Sequence, residues 1–310
     1  MTDLEKLLEA LGKSGGDRNV VADPATAHLM VEGNKILSGR DVEGLQVAAN
    51  STGDGITARV LVTRGTRIGN PVHLCFGMVH SGLQKIDIRV RLEEGSSAHF
   101  IAHCLFPDPR DVKHLMEGEI DIGEGAEMRH SETHFHGPSG AMEVIPKARI
   151  RIGKNGRYVG DFNLTAGRVG RLAIDYAVEA GENAIAELTA RVYGHGTDSI
   201  FIREQVSLDG ANVRSLIKTR IALEDDAEAE VTGITEGNAP VVRGHVDCME
   251  LVRDRAVARA VPIVNVTHPL AKVTHEAAIG SVDRHQMKTL MAHGLSPEEA
   301  VDIIVRGILR

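Results

Sequence analysis

The 310 residues contain no tryptophan, three tyrosines and six phenylalanines, so aromatics make up only 3% of the chain. A core built from this sequence is expected to be aliphatic, made of Val, Ile, Leu and Ala. Cysteine is scarce too: Cys75, Cys104 and Cys248 lie far apart and form no CxxC pair. That spacing argues against a zinc ribbon or a thioredoxin-type motif. An odd count points to free thiols rather than disulfide staples. Positive charge is in deficit, with 35 Lys and Arg against 43 Asp and Glu and a net charge of −8. Phosphate backbones are held by clustered Lys and Arg, so no nucleic-acid partner is expected. No apolar run approaches the roughly 18–20 residues of a membrane helix. The start Met1-Thr2-Asp3-Leu4-Glu5-Lys6 lacks the basic and apolar stretches of a signal peptide. A cytoplasmic chain with no membrane partner is the expectation.

Several catalytic motifs are missing as well. Gly12-Lys13-Ser14 resembles the end of a phosphate loop, but Leu7 stands where that loop needs its first Gly, and no strand precedes it. There is no GxSxG, no HExxH, and no GxGxxG between a strand and a helix.

What is present falls into three zones. Leu4, Leu7, Leu8 and Leu11 recur at helical spacing, with Gly12 as the expected stop. Residues 13–55 then give no regular pattern, and residues 1–55 read as an N-terminal helix and irregular segment. Residues 56–265 are a succession of period-two runs. Examples are 58–62, 86–92, 148–152, 184–192 and, more loosely, 213–222, with Ile86, Ile88, Val90 and Leu92 on one face of the second. Turn-like Gly residues punctuate them at 95, 125, 156, 181 and 210. Gaps of about 25–31 residues suggest stacked coils of a solenoid. A β-sandwich or barrel of hairpins produces a similar pattern, and periodicity alone does not separate them.

Residues 266–310 form a C-terminal segment that ends in a helical hairpin. Met287, Leu290 and Met291 mark a short helix that stops at Gly294. Ser296-Pro297-Glu298-Glu299 is a capping box for a second, and Val301, Ile304, Val305 and Ile308 share its apolar face. That face packs on the β-domain or receives a partner.

Two places concentrate metal-ligating side chains. In His130-Ser131-Glu132-Thr133-His134-Phe135-His136, a strand would put His130, Glu132, His134 and His136 on one face. Imidazoles and a carboxylate together suit zinc or iron(II), although a polar strand face can be His-rich by chance. On this reading the chain is a metal-dependent enzyme on a β-helix. The other place is Thr274-His275-Glu276-Ala277, with Cys248 27 residues upstream of His275. Taken alone, these are more simply a polar pair and a small buried thiol.

The stretch from Val242 to Leu309 resembles the C-terminal part of the SufB/SufD family of iron–sulfur cluster assembly scaffolds. The resemblance is carried by Gly244-x-x-x-Cys248, Ala260-x-Pro262, His275-Glu276-Ala277, Ile279-Gly280, Gln286, Leu290 and Gly294-Leu295-Ser296-x-Glu298-Glu299-Ala300. His293 stands where many members have Arg, a small departure. Upstream the likeness is confined to the run of strands, and the N-terminal part looks shortened relative to longer members.

The resemblance implies a mainly β fold, a right-handed parallel β-helix core with a C-terminal helical domain, which favours coils over hairpins. It implies a scaffold rather than an enzyme, with ATP hydrolysis in a separate SufC-like ABC-type ATPase gripped by the C-terminal helices. It also implies a homodimer, or a heterodimer with a paralogue, carrying a transient iron–sulfur cluster, and it leaves a flavin open. Cys248 resembles the SufB-branch cysteine that takes part in cluster building. Glu276 resembles the SufB-type glutamate, and His275 resembles the histidine used by the SufD branch. Cys75 and Cys104 match the sulfur-entry cysteine by residue type only. Thiolate is the usual cluster ligand. One thiolate, one imidazole and one carboxylate do not complete a four-ligand site, so a second chain is expected to supply the rest.

Overall fold

The computed structural model describes residues 2–107 and 111–309. Among these residues the strands form two facing sheets, one of ten strands and one of nine. The chain crosses from one sheet to the other and back in every coil. Strand neighbours within a sheet are therefore one coil apart and run parallel. Most hydrogen-bonded side chains on successive coils are separated by 28, 29 or 30 residues. This is a β-solenoid, and the hairpin alternative is excluded by the parallel pairing. Among the described residues, antiparallel pairs occur only at the N-terminal end. There Lys35–Arg40 folds back on His28–Glu32, and Leu45–Ser51 pairs with Gly55–Val62. Residues 28–51, which showed no pattern in the sequence, are thus the strands that close that end of the stack.

The alternation has a direct cause. In Gly82–Leu92, Ile86, Ile88, Val90 and Leu92 point into the lumen, while Lys85, Asp87, Arg89 and Arg91 face solvent. The outer faces carry ion pairs between neighbouring coils, such as Arg151–Asp121 at 2.7 Å and Arg203–Asp175 at 2.9 Å. Being exposed, each adds little stability. The lumen is aliphatic over much of its length, but the few aromatics are not scattered. Phe76, Phe100, Phe106, Tyr158 and Phe162 are all buried, and all lie between residues 76 and 162. The expectation of a purely aliphatic core fails there.

The turn ladder is more regular than glycine alone indicated. One residue in each of seven successive turns has positive φ: Gly65, Gly95, Gly125, Asn155, Asn183, Asn212 and Val241. From the fourth of these on, the position is not Gly. The glycines at 156, 181 and 210 sit beside it, which is why the glycine gaps looked uneven. Asn is the non-Gly residue that best tolerates this conformation. The asparagines also form a ladder, with Asn183 donating to Asn155 and Asn212 donating to Asn183, both at 3.1 Å. Val241 breaks the series at φ 62° with a β-branched, half-exposed side chain. Val241→Asn is expected to stabilise the chain by about 1–2 kcal/mol by relieving this strain. It should also extend the ladder to Asn212. Urea denaturation of the two proteins measures the gain.

Three helices flank the solenoid. Helix α1, Asp3–Lys13, runs through Gly12 and stops only where Gly15 takes φ 84°. Its Leu7, Ala10 and Leu11 cover Met30, Cys75 and Leu105 on the outside of the ten-stranded sheet. Helix α2, Arg284–Ala292, is capped by Asp283, and Gly294 follows it at φ 96°. Helix α3, Pro297–Ile308, has the capping box read from sequence, with Ser296 Oγ accepting from Glu299 N and Ser296 N donating to the Glu299 carboxylate. Val301, Val305 and Leu309 pack on Ala222 and Leu251 of the sheet. No helix of the described residues is long and apolar enough to cross a membrane.

Candidate functional site

The C-terminal end of the stack is open. Val257–Val266 and Lys272–Gly280 are the last strands of the two sheets, and each is paired on one side only. Their lumen side has no further coil to cover it. Val264, Val266 and Ile279 are 41%, 49% and 48% exposed, and Leu270 in the turn is 60% exposed. Unpaired strand edges with apolar residues beside them are a template for another chain.

Cys248 and His275 lie just beneath this end. Both project from the inner face of the ten-stranded sheet, Cys248 on Arg243–Val252 and His275 on the neighbouring last strand. Their backbone partners are Ala277 for Cys248 and Val246 for His275, so the two side chains sit diagonally on one face. The His275 ring reaches across towards Gly233, where an added Cβ would lie 3.3 Å from its Cε1. Neither ring nitrogen of His275 has a hydrogen-bond partner among the described residues. Glu276, one residue on, points to the opposite face, level with Asp247. A single chain therefore places Cys248 and His275 on the inner face of neighbouring strands and Glu276 on the outer face.

Cys248 is buried in a polar pocket of the lumen. Glu204, on the opposite sheet, accepts from the Thr219 hydroxyl at 3.1 Å, and Thr219 is the backbone partner of Cys248. Glu250, 1% exposed, has no partner for either carboxylate oxygen among the described residues. Burial pushes the Cys248 thiol up to about 12, with the nearby Glu250 and Glu204 carboxylates adding to the shift. The thiol is held protonated until a cation displaces its proton.

The second sequence-predicted group lies in the other half of the lumen. Glu132, His134 and His136 project inward from Glu127–His136 and are each 2% exposed. His134 Nε2 lies 2.8 Å from Glu132 Oε1, and His134 Nδ1 lies 3.2 Å from His136 Nε2. Tyr176 donates to the other Glu132 oxygen at 3.0 Å. Burial alone would raise the Glu132 carboxyl. The His134 hydrogen bond and the surrounding imidazoles outweigh it and hold it down at about 2. His130 shares the inward face but turns to Tyr158, whose hydroxyl is 3.5 Å from its Nδ1. The strand thus joins Glu132, His134 and His136 by hydrogen bonds, with His130 near Glu132 but outside that chain of bonds.

Two neighbours of that group were not read from the sequence. Cys104 is the backbone partner of His134 one coil away. His114 reaches across from the nine-stranded sheet, with Nε2 3.8 Å from Cys104 Sγ. The 30-residue offset between Cys104 and His134 equals one coil, so the coil length was the signal that joins them. Cys75 points the other way, under α1, and does not reach the lumen.

The chain is a β-solenoid with an open, edge-stranded end, a thiol and an unpartnered imidazole in its last two coils, and a flanking helical pair. The sequence comparisons give this solenoid its family. The model of the SUF system iron–sulfur cluster assembly SufBD core domain matches residues 79–308. The iron–sulfur cluster assembly SufBD family protein of Methanocaldococcus jannaschii is 36% identical over 308 residues, covering 99% of this chain and 98% of that one. A second relative of the same family from Pyrococcus horikoshii is 32% identical over 308 residues, covering 99% and 94%. A third, from Methanothermobacter thermautotrophicus, is 28% identical over 219 residues, 70% of this chain and 53% of the relative. The chain belongs to the SufBD family of iron–sulfur cluster assembly proteins.

Proposed function

We propose that this chain is the scaffold on which a nascent iron–sulfur cluster is built and held, at an interface made when two chains meet through their open C-terminal ends. The partner is a second copy or a paralogue. The observation that carries this reading is the placement of Cys248 and His275 on one inner face in the last two coils, under uncovered strand edges. Two such ends, face to face, supply two thiolates and two imidazoles, a complete ligand set for a small cluster. Glu276, on the outer face, becomes a ligand only if the end strand shifts or the partner chain reaches round to it. A mixed thiolate and imidazole set binds iron less firmly than four thiolates, which suits a cluster made for release.

The energy for release comes from a SufC-like ATPase held by the C-terminal helices. Met249, His285, Leu290, Ile303, Ile304 and Ile308 line an open groove of about 630 Å³ between α2, α3 and the last coils. Ile303 is exposed there. Movement of these helices would be transmitted to the end strands that follow Cys248, coupling nucleotide state to exposure of the site. Bismaleimide crosslinking tests this. Cys248 should join to its counterpart faster with ATPase and ATP than without. Equal rates in both conditions would remove the gating claim.

The enzyme reading of the His130–His136 strand has less support. The lumen cavity beside Glu132, His130 and Tyr176 is about 40 Å³. That holds a water molecule or two, well short of the few hundred Å³ of an organic-substrate pocket.

A further inference from the structure

We propose that the N-terminal half of the lumen holds one divalent transition-metal ion, zinc or iron(II), on Cys104, His114, Glu132 and His134. This site is separate from the open end and does not depend on the function proposed for it. Cys104 Sγ, a Glu132 oxygen and a His134 nitrogen lie within 4.8 Å of one another. His114 Nε2 is 3.8 Å from the same sulfur. Four ligands around one ion stand about 3.3–3.8 Å apart when metal–ligand bonds are about 2.0–2.3 Å. Side-chain shifts of about 1 Å close the present arrangement onto one ion.

The surrounding hydrogen bonds aim the ligands. The Gln84 amide donates to the carbonyls of Gly33 at 2.7 Å and Gly77 at 3.2 Å. Its oxygen is therefore turned to His114 Nδ1, at 2.8 Å, and accepts from it. That fixes the His114 tautomer and leaves the lone pair of Nε2 directed at Cys104. A second relay ends on the Arg168 carbonyl, which accepts from His136 Nδ1 at 3.0 Å. His136 Nε2 then accepts from His134 Nδ1 at 3.2 Å, so His134 presents Nε2 to Glu132. Both imidazoles are thus oriented through their far nitrogens by partners anchored on backbone carbonyls, the outer-shell arrangement that metal-bound histidines use. Glu132 is buried with no Lys or Arg partner among the described residues. A buried carboxylate needs a cation, and a metal ion between it, His134 Nε2 and the thiolate supplies one. A thiolate, two imidazoles and a carboxylate match zinc or iron(II), and not the all-oxygen preference of magnesium or calcium.

The alternative is a buried His134–Glu132 ion pair with Cys104 and His114 as packing. Cobalt(II) separates the two. Tag-free protein, stripped of metal, is titrated anaerobically with cobalt(II). We expect one ion per chain with a thiolate-to-cobalt charge-transfer absorption. Cys104→Ala should lose that absorption and Cys248→Ala should keep it. Gln84→Leu should weaken binding about 10–100-fold without touching a ligand. If Cys104→Ala does not fold, X-ray absorption on the wild type decides, with one sulfur and two imidazoles around the ion expected. Absence of a bound ion, an absorption that follows Cys248 instead, or a shell without sulfur would each overturn the proposal. Metal content of anaerobically purified protein then says whether zinc or iron occupies the site.

Discussion

Val264→Asp is expected to weaken association of the chain with itself, or with its paralogue, by at least about 100-fold, or about 3 kcal/mol. Val264 is 41% exposed at the open end, on the last strand of the nine-stranded sheet. In an end-to-end pair of copies related by two-fold symmetry, one substitution appears twice. The two carboxylates then face each other where apolar side chains would otherwise leave water. Sedimentation velocity reads the loss, and the yield of reconstituted cluster should fall in parallel. Ile303→Asp, in the helical groove, is the companion variant. It should leave self-association intact and impair only ATPase binding. Unchanged association of Val264→Asp would sink the end-to-end arrangement while leaving family membership untouched.

Glu204→Gln is expected to stabilise the chain strongly at pH 8 and hardly at all near pH 4.5. Burial pushes the Glu204 carboxyl up to about 7 from an ordinary value of 4.5, and the hydrogen bond from Thr219 only partly offsets it. Between those pH values the folded chain holds a proton that the unfolded chain releases. Stability therefore falls as pH rises through that window and levels off above about 7. A shift of this size corresponds to about 3 kcal/mol. Glutamine keeps the shape, still accepts from Thr219, and carries no charge to bury. Urea denaturation at pH 4.5 and pH 8 should show a gain at the higher pH only. An equal gain at both would mean that the Glu204 carboxyl keeps its ordinary value in the folded lumen. Retaining such a carboxylate near Cys248, at a cost in stability, fits a group that helps keep the thiol protonated between cycles.

How much of this was legible in the sequence depends on what kind of signal each feature leaves. Strands such as Gly82–Leu92 and Ile185–Gly194 announce themselves because one face is buried and the other wet, and period two follows. The helical hairpin was legible from Ser296-Pro297-x-Glu299, since capping is a local interaction. Coil length is blurred when glycine alone marks the turn. The backbone demands positive φ, which Asn155, Asn183 and Asn212 also supply. The closing strands between 28 and 51 carry no clear period because His28–Glu32 is buried along its whole length while Lys35–Arg40 is partly exposed on both faces.

The sites divide in the same way. Glu132, His134 and His136 were visible because they share one strand. Cys104 and His114 were not, since their approach is set by coil register and by the width of the lumen, and neither is a local property. Cys248 and His275 were singled out by resemblance. Their common face and the opposite face of Glu276 follow from strand alternation once the register is known.

The most direct test of the scaffold is anaerobic reconstitution of the chain with its ATPase, iron(II) and sulfide, followed by absorption and Mössbauer spectroscopy. Wild type, Cys248→Ala, His275→Ala and Cys104→Ala are compared. The scaffold requires a cluster spectrum in the wild type that is lost without Cys248, diminished without His275, and still present without Cys104. A cluster that survives the loss of Cys248, or that never forms in the wild type while one metal ion stays tightly bound, would contradict it.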